Sequence, residues 1–494
     1  MLDGVRLRVI IPCGAVLSLC AIYLRRRRRR RSLTGCELPR VATEVPGPRS
    51  RALIDKLACY ECPAITARRA RRADALGAAA ADPIVWQAAR GSVVLDVDNN
   101  VFVDITSGFG VATLGHGAST VCEAGVAQLQ KPLIHAMGDA FPDSSRIELL
   151  QELASFLPGL PKGILGCSGA DAVQAALKTA ALKTGKSGVL AFSGSYHGLA
   201  HGALAPSMYK ADDFREPFIN QLGAHVTFAP FAISPLPSLA GIGAVIVEPL
   251  QGRGGVRAAP VEWLIALRAH CDSEGALLIY DEIYTGFGRT GSWFAYQSAG
   301  QGIGGEHGTG APEPDLICLG KAMGGGFPIS VCLGTADAMN AWGASKGEAL
   351  HTQTFLGNPL GCSMALAALR ELRRLDAPGV ARQKGQKLKS LLAAKGLTNV
   401  RGRGLMLACE VPDPLYVMAS TLRSGIIALP CGEGPHFNAI AIIPPVTITE
   451  EQMRAAVHAI AQACKQGSKG SERLIAKCPA YQQWGWTTQQ SPLS

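Results

Sequence analysis

The sequence predicts an α/β fold, with a large domain around a mainly parallel central sheet and a smaller α/β domain built from its N- and C-terminal flanks. Three observations carry this expectation. From about residue 140 to 375, short continuous apolar runs alternate with helical stretches, as in a parallel sheet covered on both faces. Ahead of them, Val93-Val94-Leu95-Asp96 and Val101-Phe102-Val103-Asp104 flank Asp98-Asn99-Asn100 and read as a hairpin. Behind them, mixed α/β pattern returns, with Ile440-Ala441-Ile442-Ile443 a strand and residues 450–465 a helix.

The elements follow in order. Residues 9–24 carry no charge and precede seven arginines at 25–31. Sixteen residues of helix span roughly 24 Å against a hydrocarbon core of roughly 30 Å. Snorkelling arginine stems extend that reach. Residues 1–31 are therefore a candidate membrane anchor, with the arginine block on the cytoplasmic side, or a mis-called start. Residues 32–81 read as an irregular N-terminal extension. It contains Pro46-Gly47-Pro48 and a basic solvated stretch, Ala67-Arg68-Arg69-Ala70-Arg71-Arg72. Residues 82–139 form the N-terminal part of the small domain, 140–375 the large domain and 376–466 the C-terminal part of the small domain. Strand-like runs in the large domain include Gly188-Val189-Leu190-Ala191-Phe192, Gly243-Ala244-Val245-Ile246-Val247 and Ala276-Leu277-Leu278-Ile279-Tyr280. Glycine-rich residues 301–310 read as a surface insertion, because no strand leads into them. Residues 467–494 have no period and read as a disordered tail.

A chain of 494 residues buries a large core. Its net charge of +10 belongs to the N-terminus, where residues 1–72 hold 17 Lys+Arg against 5 Asp+Glu, leaving −2 for the rest. The body thus lacks a nucleic-acid footprint. Fifteen cysteines sit mostly singly in apolar runs such as Ile317-Cys318-Leu319 and Val331-Cys332-Leu333, as reduced buried thiols do. Cys59 and Cys62 have no second pair or histidine cluster nearby, so no metal site is expected. The compartment reads as reducing and cytoplasmic.

Two charged residues end apolar runs. Lys321 closes Leu316-Ile317-Cys318-Leu319-Gly320 ahead of Ala322-Met323-Gly324-Gly325-Gly326, and Asp281 follows the run 276–280. A lysine and an aspartate at the ends of buried strands suit pyridoxal 5'-phosphate (PLP): the amine holds the aldehyde as a Schiff base, and the carboxylate keeps the pyridine nitrogen protonated. Cys167-Ser168-Gly169-Ala170-Asp171 opens a helix, whose free N–H groups suit a phosphate. Glu248 ends Val245-Ile246-Val247, at the strand terminus where ligands bind in open α/β sheets.

Three long motifs in order resemble the class III aminotransferases over roughly residues 82–465. They are Tyr280-Asp281-Glu282-Ile283-Tyr284-Thr285-Gly286-Phe287-Gly288-Arg289-Thr290-Gly291, Leu319-Gly320-Lys321-Ala322-Met323-Gly324-Gly325-Gly326-Phe327-Pro328 and Thr354-Phe355-Leu356-Gly357-Asn358-Pro359. The resemblance implies a fold-type I PLP enzyme, usually a homodimer with shared active sites. It assigns the phosphate to Gly169 and Ala170, the ring faces to Tyr196 and Ile283, and the ring nitrogen to Asp281. It places Glu248 beside the ring and gives Lys321 the covalent and proton-shuttling work. His197 stands behind the site. Thr354 is implied to donate its hydroxyl to the phosphate in the partner subunit. Tyr284 is a further cofactor-binding candidate that departs from the pattern: many members have glutamine there, contacting the cofactor's phenolic oxygen, and a tyrosine hydroxyl reaches that oxygen only from a different angle.

The substrate signals also depart. Many relatives carry an arginine ahead of a Pro-Pro pair as the α-carboxylate clamp, whereas this chain has Ala441 at that place before Pro444-Pro445. Leu199 follows Tyr196-His197-Gly198 where acetylornithine-type enzymes have arginine. Arg403 and Arg257 are the candidate substitutes, and Phe109 a candidate pocket wall. The expected reaction moves an amino group from an amino acid or ω-amine donor to an α-keto acid. The alternatives are a racemase or epimerase of the same fold and, more remotely, an inactive membrane-tethered binding protein.

Overall fold

A computed structural model describes residues 33–66, 83–298, 310–432 and 438–475. The chain divides into two units, residues 1–34 and Gly35–Ser494. The candidate anchor, the basic stretch at 67–72, nearly all of the glycine-rich insertion and the end of the tail lie outside the described residues. Among the described residues, no helix is long and apolar enough to cross a membrane.

Seven strands form the central sheet, in the order Lys162–Gly166, Ser330–Gly334, Leu316–Leu319, Leu277–Asp281, Ile242–Val247, Gly188–Phe192 and Val226–Ala229. Ser330–Gly334 runs antiparallel to both of its neighbours, and the other strands share one direction. The apolar runs are continuous because both faces are covered. Leu190, Val245, Val247, Leu278 and Tyr280 face a core that includes Leu149, Trp263 and Leu264. The alternating residues Val189, Ala244, Ile246, Ile279 and Cys318 face Ala172, Val173, Ala176 and Ala180 of the helix Gly169–Thr184. Alanines on that helix let it lie close to the sheet.

The smaller α/β part joins both flanks of the sequence. The strands Val93–Asp96 and Val101–Asp104 pair as the expected hairpin, and Ile426–Ile427 adds to it in parallel. Its turn is held by Asp96, whose Oδ1 accepts the N–H groups of Asp98 at 2.9 Å and Asn100 at 2.7 Å, while Asn99 adopts φ 67°. A second sheet contains Arg401–Arg403, Met406–Glu410, Ala439–Ile442 and Leu429–Cys431.

Two elements differ from expectation. The extension read as irregular contains the helix Pro48–Leu57, which buries Ser50 and Ile54. Its N-terminal N–H groups, on Arg49 and Ser50, donate to the Asp98 carboxylate at 2.8 and 2.9 Å. The cap thus comes from the hairpin turn, far away in sequence. The last helix, Glu450–Ile475, continues beyond residue 465.

The topology places one edge of the sheet at the C-terminal ends of five parallel strands. Lys162–Gly166 leads to Gly169, Gly188–Phe192 to Tyr196 and Ile242–Val247 to Glu248. Leu277–Asp281 ends on its own carboxylate, and Leu316–Leu319 leads through Gly320 to Lys321. This is the edge at which open α/β sheets bind ligands.

Candidate active site

Lys321 opens a 3-10 turn with φ 41°, a left-handed conformation that costs a non-glycine residue about 1–3 kcal/mol. Its ammonium lies 3.8 Å from the centre of the Tyr284 ring. Desolvation lowers its pKa to about 8, against the opposing pull of Asp281 and Glu248 and with a push from Arg253. Burial thus favours the neutral amine relative to a solvated lysine.

Asp281 is buried and accepts two hydrogen bonds. His197 Nδ1 lies 2.7 Å from Oδ2, and the Ile283 N–H 3.1 Å from Oδ1. The His197 backbone N–H donates in turn to Ser207 Oγ at 2.8 Å, and His197 Nε2 is buried with no partner. With Asp281 ionised, Nδ1 carries the proton, and the imidazole fixes the carboxylate's orientation. His197, expected behind the site, thus sits directly against Asp281.

Glu248 accepts the Tyr196 N–H and the Gly252 N–H, each at 3.0 Å, and so ties two loops together. Burial pushes its pKa up to about 7, with the nearby Asp281 charge acting in the same direction. Tyr284 is clamped on both sides, since a Cβ on Gly110 would meet its ring at 2.3 Å and one on Gly252 at 2.4 Å. The turn holding Phe109 therefore adjoins Tyr284, and Phe109 itself is about two-fifths exposed, at 40%.

The start of the helix Gly169–Thr184 suits an anion. Ser168 and Asp171 form a capping box that engages the N–H groups of Cys167, Ser168 and Asp171. The N–H groups of Gly169 and Ala170 keep no hydrogen bond among the described residues. A Cβ on Gly169 would lie 3.0 Å from Ile283 Cδ1, and one on Gly198 3.1 Å from the Ala170 Cβ. The helix start is thus pressed against both the Ile283 turn and the Tyr196-His197-Gly198 turn. Two free amides, a desolvated amine, an oriented carboxylate and the flanking Tyr196 and Ile283 are the donor set that PLP requires.

Two expected residues make no hydrogen bond to this cluster among the described residues. Thr354 is exposed. Arg403 is half-buried, its pKa lowered by desolvation with Glu282 opposing, and its electrostatic neighbours are Glu282 and Lys389. Arg257 bonds Gln251 Oε1 at 2.8 Å. Arg253 was not singled out from the sequence, yet its guanidinium carbon lies 5.0 Å from the centres of both the Tyr196 and Tyr209 rings. Its one sequence signal is a cation inside the glycine turn Gly252-Arg253-Gly254-Gly255.

Comparison with known proteins places the fold in a family. The profile of the family Aminotransferase class-III matches residues 76–464. An acetylornithine aminotransferase of Methanosarcina acetivorans is 33% identical over 387 residues, covering 77% of this chain and 92% of its own. One from Corynebacterium efficiens is 34% identical, with the same coverage. Among solved structures, ornithine aminotransferase from Toxoplasma gondii superposes with TM-score 0.72 at 25% identity, over 85% of this chain and 96% of its own. A PLP-bound amine transaminase from an uncultivated Pseudomonas species gives 0.69 at 26%, over 78% and 95%. This chain belongs to the class-III aminotransferases, PLP-dependent enzymes of fold type I that transfer amino groups.

Proposed function

We propose that Lys321 is the cofactor-bearing lysine of a transaminase that takes its amino group from an ω-amino acid or amine and delivers it to an α-keto acid. One observation carries the reading: a desolvated lysine with a pKa of about 8 shares a sheet edge with a carboxylate oriented by histidine and a helix start with two free amides. When bound, PLP supplies a carbonyl that exchanges amines and a ring that withdraws electrons. The chain supplies the rest. Gly169 and Ala170 N–H groups hold the phosphate, while Tyr196 and Ile283 fix the ring plane. Asp281 keeps negative charge at the ring nitrogen. Lys321 Nζ, as a free amine, would take and return the proton at the substrate carbon. Relatives named for acetylornithine, ornithine and amines support an ω-amino donor. The holoenzyme mixed with single amino compounds should lose the absorbance band of the lysine-linked cofactor with such donors and recover it with a keto acid. A band that persists while an amino acid loses optical purity would identify a racemase.

Thr354 is assigned to the cofactor phosphate of a partner subunit in a homodimer. Its surroundings support that. Ile134, Met137, Phe141 and Phe355 are 56%, 61%, 66% and 60% exposed. His135 packs edge-on to the Phe355 ring at 5.6 Å, so the two segments form one apolar patch around Thr354. The 51.7 kDa chain should sediment at twice its mass, and Phe355→Glu should lower the dimer fraction and activity together. An active monomer would sink this assignment. The described cysteines are all free, which supports a reducing, cytoplasmic setting. Residues 9–31 remain a candidate tether, to be tested by membrane fractionation.

A further inference from the structure

We infer that Arg253 is the carboxylate clamp for the α-keto acid acceptor, in place of the arginine that this chain lacks at residue 441. The inference rests on the transaminase reading above. Every α-keto acid brings a carboxylate next to its reacting carbon, and a site shielded from water must answer that charge with a cation. Ala441 is buried in an apolar cluster with Met406, Ala408 and Cys431, against which Tyr284 packs, so no cation serves from there.

Most nearby cations are committed elsewhere. Arg289 bonds the Pro444 carbonyl and Thr113 Oγ1, Arg401 bonds the Gly255 carbonyl, and Arg257 bonds Gln251. Arg253 differs. Arg257 and Arg289 also bury an Nε that makes no hydrogen bond, but they bond through their terminal nitrogens. The Arg253 guanidinium has no hydrogen bond or ion pair at any nitrogen among the described residues. The nearest carboxylates do not engage it, since Glu248 and Asp281 hold backbone N–H groups and His197. What holds the guanidinium is the corner formed by the Tyr196 and Tyr209 rings, which stand edge-to-face at 86° with the cation 5.0 Å from each centre, while its N–H groups keep no partner among the described residues.

The platform is rigid. The Arg253 carbonyl accepts the Gly432 N–H at 2.9 Å, and the preceding Gly252 N–H donates to Glu248. A Cβ on Gly254 would come within 2.8 Å of the Gly194 carbonyl, so this turn is seated against the loop that carries Tyr196. Tyr196 flanks the cofactor ring in this reading, and Gly252 abuts Tyr284, which covers the Lys321 ammonium. The cation therefore borders the position of the reacting carbon.

The test compares wild-type holoenzyme with Arg253→Met and Arg253→Lys. For each, kcat/KM of the second half-reaction is measured with an α-keto acid and with the aldehyde of matching chain that lacks the carboxylate. Arg253→Met should lower the ratio of keto acid to aldehyde roughly 10- to 100-fold, the scale of hydrogen bonds to a charged group. Arg253→Lys should fall between, keeping the charge and losing the fork. Calorimetric titration of the holoenzyme with 4-methylpentanoate, a carboxylate that cannot react, should show the same order of weakening. An unchanged ratio and unchanged carboxylate binding in Arg253→Met, with the cofactor band intact, would overturn the clamp and leave the transaminase reading standing. A wild-type holoenzyme that forms no band or does not lose it with any amine overturns both.

Discussion

Lys321→Ala is expected to abolish both covalent cofactor attachment and turnover. An ammonium stripped of water loses hydration that neighbouring groups only partly replace, so deprotonation becomes easier and the pKa falls from 10.5 to about 8. At pH 7.5 an ordinary lysine is roughly 0.1% free amine, whereas one at about 8 is roughly a quarter free, more than a hundredfold gain in nucleophile. The apoprotein given PLP should therefore form its absorbance band faster as pH rises, levelling off above about 8. A rate still climbing at pH 10 would point to a solvated lysine instead. The alanine variant should show no band at any pH, and turnover by it would refute the assignment.

Asp281→Asn is expected to retain cofactor and lose activity by about 10- to 1000-fold, since an opposite charge at contact distance shifts a pKa by about 1–3 units. Asparagine preserves the side chain's shape and a hydrogen-bond partner for His197 but removes the charge. Asp281→Ala removes both. It leaves His197 buried with neither ring nitrogen paired, because Nε2 already has no partner. The alanine variant should accordingly lose thermal stability as well as activity, while asparagine loses mainly activity. Kinetics of the amine half-reaction together with a melting curve separate the two contributions. Full activity in Asp281→Asn would mean that the ring nitrogen is governed by another group.

Much of the large domain was legible because its strands are buried on both sides and so read as uninterrupted apolar runs. A charge at the end of such a run stands out, and Lys321, Asp281 and Glu248 were visible for that reason. Residues whose role depends on distant partners were harder to read. Arg253 in a glycine turn looks like solvent-facing punctuation until Tyr196 and Tyr209 arrive from 57 and 44 positions upstream to form the corner that holds it. His197 acquires its role only through Asp281, 84 residues away. The helix Pro48–Leu57 has no strong internal cap, and the carboxylate that caps it sits in a hairpin turn the local pattern does not contain. Short-range periodicity reports burial, and these features rest on long-range pairing.

The assembly of the site from the ends of five separate strands also has a temporal side. Gly169 precedes Lys321 by 152 residues, so at roughly 5–20 residues per second the amine leaves the ribosome some 8 to 30 seconds after the phosphate turn. In that interval a growing chain offers the Gly169 and Ala170 amides and the Tyr196 ring but not yet Lys321. Their alignment waits further for the strands to pair, a slow class of event because the contacts are distant in sequence. The cluster is therefore complete only once these strands have paired, and a chain stalled before Gly320 lacks its lysine, Lys321.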